Sequence, residues 1–164
     1  MAAVHLVVDA NVLIDYATAD ESVLGLVVRY IGPVYVPRDV LDEAHRVDED
    51  MCIRLGLQIA EGSLDQLLQA GVGGGGLSFQ DRMCLILARD HGWVCVSNDR
   101  RLRRACEEVG VETRWGLQLM LEVVAAGGLD PESAVSVAET IGRRNAWLGA
   151  AVVEAFTRKV RGLP

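Results

Sequence analysis

The sequence predicts an α/β fold: a three-layer α/β/α sandwich with a central, mainly parallel sheet and additional C-terminal helices. Two observations predict it. Short apolar runs alternate with helix-like runs through the first half of the chain, and two of them, VHLVVD and WVCVSND, share one design, apolar and then abruptly polar. Strands separated by helices pair in parallel, and the connecting helices cover both faces of the sheet. A chain of 164 residues buries a core without staples, and 51% apolar with 24% charged residues is ordinary globular composition.

Taken in order, residues 4–9 read as a buried strand and Val34 to Val36 as a short one. A helical stretch follows from Asp39, and another runs through MCIRLGLQIA, residues 51–60. GVGGGG, residues 71–76, lacks the lysine of a phosphate-binding loop and reads as a flexible link into a helix beginning near Ser78. Residues 93–99 form the second strong strand, and a helix from Arg100 to about Val109 ends at Gly110. VETRW supplies a final short strand. GLQLMLEVVAA is a helix that stops at Gly127 and Gly128, Pro131 suits the first turn of the next, and AWLGAAVVEAFTRKV is a last amphipathic one. The expected division is an α/β unit over residues 1–128 and a helical extension over 129–164, packed on or beside it.

Cys52, Cys84, Cys95 and Cys106 include no close pair and read as buried free thiols, which suits a reducing compartment. Neither a signal peptide nor a membrane-length apolar run is visible, so the expected location is cytoplasmic. The net charge of −7 argues against indiscriminate attraction to nucleic acid or anionic lipid. It leaves a polyanionic substrate open, because clustered carboxylates hold cations that change the local field.

Asp9 and Asp99 close the two strong strands, and open parallel sheets bind ligands outside those strand ends. Glu43 lies in the helix after the second strand and Asp81 in the first turn of its helix. Each has a structural alternative. Asp99 suits a helix N-cap, Asp81 stands at capping-box spacing from Ser78, and Glu43 reads as a solvated helix acid. Asp9, with Asn11 two positions later in an apolar context, is the hardest to explain this way. Asp15 reads as structural. Together the four acids are unfavourable neighbours unless something positive sits between them, and Mg2+ or Mn2+ with hard oxygen ligands answers that need.

VVDANVLIDY, VLDEAHRV, LSFQDRMCLILARDHG and VSNDRRLRRACEEVGV together resemble the successive motifs of the PIN domain in its small prokaryotic toxin-like form. The resemblance spans about residues 4 to 126 and leaves the C-terminal helices uncovered. It implies a metal-dependent endoribonuclease that hydrolyses RNA phosphodiester bonds. By this resemblance Asp9, Asp81 and Asp99 hold Mg2+ or Mn2+, Glu43 completes the site, and Asn11 and Ser97 position the carboxylates or a bound water. It further implies a toxin held in check by a small antitoxin protein, and a homodimer. Arg82, the run Arg100 to Arg104, and Arg143, Arg144 and Trp147 are candidate RNA contacts, with solvated surface roles as the alternative. His5 is expected to face a helical layer, and His45 and His91 to lie on helix surfaces. Competing readings are a DNA or junction nuclease and a non-catalytic PIN-like binding protein.

Overall fold

The computed structural model describes residues 3–73 and 75–164. Gly74, inside the glycine run expected to be a flexible link, lies outside the described residues. The chain builds β1 (Leu6–Val8), α1 (Ala10–Asp20), α2 (Ser22–Tyr30), β2 (Val34–Pro37), α3 (Arg38–Glu43), α4 (Glu49–Leu55) and β3 (Gln58–Ala60). It continues with α5 (Leu64–Gly71), α6 (Phe79–His91), β4 (Val94–Val96), α7 (Arg100–Glu108) and β5 (Thr113–Arg114). Three helices complete it: α8 (Gly116–Ala125), α9 (Pro131–Arg144) and α10 (Ala150–Arg161).

The strands form one parallel sheet in the order β3-β2-β1-β4-β5. The middle strands β1 and β4 are buried along their whole length, as expected when helices cover both faces. Helices α5, α6 and α7 pack in one layer, with α6 against β1, β2 and β4. Helices α1, α2, α4 and α8 form the other layer, and α9 packs on α1, α8 and α10. Parallel crossovers are right-handed, so leaving β1 for β2 and arriving at β4 from β3 places helices on opposite faces. The direction of winding therefore reverses between β1 and β4. A crevice opens at that reversal, outside the carboxyl ends of both strands.

Four readings of the sequence need correction. MCIRLGLQIA is not one helix: Gly56 takes a left-handed conformation at φ 80° and closes α4, and Gln58–Ala60 pairs with β2 as an edge strand. Gly149, at φ 79°, delays α10 to Ala150, so Trp147 lies in the turn before it rather than on a helix. His5 is exposed and stacks on Tyr35 instead of facing helices. His45 likewise sits in a turn beyond α3. All four cysteines are buried and free, as expected.

Candidate functional site

Asp9 and Ser97 are the two buried polar side chains among the described residues, 3% and 0% exposed. They are bonded to each other: the Ser97 hydroxyl donates to Asp9 Oδ2 at 2.5 Å. Asp9 Oδ1 accepts from the Val12 amide at 2.9 Å, which makes it the N-cap of α1. The same Ser97 oxygen accepts from the Asp99 amide at 3.0 Å. One hydroxyl thus ties the end of β1 to the end of β4. Asp99 caps α7 through Arg101 and Leu102, so the capping role foreseen for it is real and coexists with its place at the crevice.

Burial pushes the Asp9 carboxyl up to about 6, against the downward pull of the Ser97 and Val12 hydrogen bonds, and the charges of Asp81 and Asp99 push the same way. Asp81 is raised as well, first by burial, with Asp99 adding repulsion and the Ser78 bonds opposing it. The fold therefore brings Asp9, Asp81 and Asp99 within electrostatic reach of one another. Glu43 is exposed at the end of α3. Its charge bears with those of Asp9 and Asp81 on Cys84, a buried thiol raised well above its usual range mainly by burial. Asn11 is exposed, and its side chain makes no hydrogen bond among the described residues. The anchoring of Asp9 comes from Ser97 and Val12.

This donor set is chemically suited to a hard divalent cation: it is all carboxylate oxygen, and its members repel without a neutralising side chain on Asp9. Among the described residues, no three His, Cys, Asp or Glu side chains are already arranged as a metal-holding group. The chemistry fits the ion; the side chains do not form a ready-made cage.

Beside the acids lies a groove of about 1280 Å³, walled by Asn11, Asp99, Arg100, Arg104, Trp115 and, from the C-terminal segment, Arg144 and Trp147 among others. Asp15 also lines it, and Asn145 donates its amide to both Asp15 oxygens, at 3.1 and 3.3 Å. Arg82, a candidate RNA contact from the sequence, instead donates to the carbonyls of Ala70 and Leu77 and braces both ends of the glycine run. The sequence drew attention to Trp147 and the α7 arginines but gave no sign of the stacking of Arg103 on Trp115, 3.3 Å from the ring centroid.

No family model matches the chain, and no curated protein matches it. Solved structures do. A PilT N-terminus domain protein from the hyperthermophilic archaeon Sulfolobus solfataricus superposes with a TM-score of 0.55 at 12% identity, over 73% of this chain and 93% of that one. The fold is that of the PilT N-terminus, or PIN, domain. A second match, PAE2754 from Pyrobaculum aerophilum, gives a TM-score of 0.53 at 19% identity, over 74% of this chain and 96% of that one. At these identities the likeness concerns the PIN fold and not the chemistry. Neither match reaches across the whole chain.

Proposed function

We propose that this protein is a divalent-cation-dependent endoribonuclease acting at the crevice between β1 and β4. The observation that carries the reading is Asp9: a buried carboxylate at a strand end, raised to about 6, with Asp81 and Asp99 bearing on it. Asp9, Asp81 and Asp99 are assigned as ligands of Mg2+ or Mn2+, with Glu43 completing the site through a water or by orienting the nucleophile. When bound, the ion polarises the phosphodiester and makes water acidic enough to attack at neutral pH. Ser97 holds one Asp9 oxygen in place and couples it to the backbone of Asp99. Val12 fixes the other oxygen. Asn11, on the groove wall, is assigned to position the attacking water.

Attack by water breaks the phosphorus–oxygen bond to the 3′ carbon of the preceding nucleotide, leaving a 3′-hydroxyl and a 5′-phosphate. The wider reading is a toxin that works as a homodimer in the cytoplasm and is silenced by a small antitoxin protein. Its support is the motif order and the PIN-like fold.

The non-catalytic alternative draws on one observation, that no three acidic side chains are pre-arranged around an ion among the described residues. Incubation of the purified protein with end-labelled single-stranded RNA and Mn2+ separates the two. Cleavage to 5′-phosphate products, abolished by EDTA, is expected. Intact RNA after prolonged incubation, with protein shown to be free of any bound inhibitor, favours the binding protein.

A further inference from the structure

We propose that the groove between α7 and the α9–α10 turn is a binding track for single-stranded nucleic acid, with Trp147 as its base-stacking platform. The proposal rests on the nuclease reading and names the part of the chain that grips the substrate.

Charge is the first argument. In a chain of net charge −7, the groove is lined by Arg100, Arg103, Arg104 and Arg144. Among the described residues none of these four is ion-paired, whereas Arg38, Arg54, Arg89, Arg114 and Arg161 all hold carboxylates. Of the three carboxylates in the groove, Asp15 is engaged by Asn145 and Asp99 by the start of α7, and Glu107, whose charge bears on Arg103 without forming an ion pair, leaves the four arginines in excess. Arg103 carries a buried Nε with no hydrogen-bond partner among the described residues. Unpaired guanidinium groups gathered in one groove of an acidic protein fit the phosphates of a polyanion.

The aromatic groups are the second. Trp147 is 98% exposed, so its ring contributes almost nothing to the core. Trp115, 45% exposed, is covered on one side by the Arg103 guanidinium. Arginines interleaved with open indole rings are the pattern that holds unpaired bases, because every base offers a face to stack. A duplex keeps its bases inside and gains nothing from such a ring. Asp99 and Asn11 form part of the same wall, so a strand lying here passes Asp99, the one candidate acid that lines the groove. An acidic protein segment meets the guanidinium groups equally well but has no use for a bare indole face.

The test is binding without cleavage. Fluorescein-labelled oligo-uridine and oligo-adenosine are titrated with the full-length protein in EDTA, and anisotropy reports affinity. Trp147→Ala is expected to weaken binding about tenfold and Trp147→Phe to restore most of it. Arg104→Gln with Arg144→Gln should weaken binding and flatten its salt dependence. A blunt RNA duplex is expected to compete poorly. Wild-type affinity in Trp147→Ala, or a duplex that competes as well as the single strand, overturns the proposal. So does absence of binding, which would leave the groove to an acidic protein segment. Binding with these signatures but no cleavage on adding Mn2+ defeats the nuclease reading alone. Cleavage unaffected by Trp147→Ala defeats the binding track alone.

Discussion

The Ser97 hydroxyl donates to one oxygen of Asp9 and accepts from the amide of Asp99, joining two strand ends that are 88 residues apart in the chain. A buried carboxylate left without that donor faces the apolar interior of the sheet. Ser97→Ala is therefore expected to destabilise the fold by about 1–3 kcal/mol. The lost bond pulled the Asp9 pKa down, so the acid limb of any pH–rate profile should move to higher pH. Denaturant melts and the profile together check this; an unmoved limb would separate Ser97 from Asp9.

Asp9 is a liability to the metal-free fold. Its carboxyl is raised from 3.8 to about 6, so the native state holds a proton that the unfolded chain has released between those values. Stability from this group accordingly falls as pH rises through that window and stays low above it. The shift corresponds to about 3 kcal/mol at most. Without divalent cations, Asp9→Asn should raise the melting temperature near pH 7.5 by roughly 5 °C, with the advantage vanishing below pH 4. A lower melting temperature in the variant near pH 7.5 contradicts this.

A Cβ on Gly32 would lie 2.1 Å from the carbonyl oxygen of Val4. Backbone atoms on the approach to β1 cannot give way as a flexible side chain does. Gly32→Ala is expected to cost about 2 kcal/mol or more in urea unfolding.

The four thiols lie inside the core, so native protein should resist a thiol-specific chromogenic reagent, and denaturation should release all four. Rapid labelling of any one under native conditions would mean that its helix or, for Cys95, its strand opens readily.

Much of the fold was legible because its signals are local. Runs that turn polar at Asp9 and Asp99 announce strands running into helices, and the structure shows that both acids cap the helices that follow. The third strand escaped because Gly56 interrupts an apolar stretch whose composition suits one long helix, and only pairing with β2 makes Gln58–Ala60 a strand. Within the candidate site, the acids and Ser97 stood out through the order of their motifs. The bond between Ser97 and Asp9 depends on the adjacency of β1 and β4, which no local pattern records. Nor does one record Arg103 on Trp115, across the turn into β5, or Asn145 on Asp15, where the end of α9 closes over a residue 130 positions away.

The central claim is that Asp9, Asp81 and Asp99 act as one divalent-cation site. Calorimetric titration of the metal-free protein with Mn2+ at pH 7.5 tests it most directly. Saturable binding is expected in the wild type, and it should be lost in Asp9→Asn and in Asp99→Asn. Undiminished binding in both variants, or none in the wild type up to millimolar Mn2+, would contradict the account.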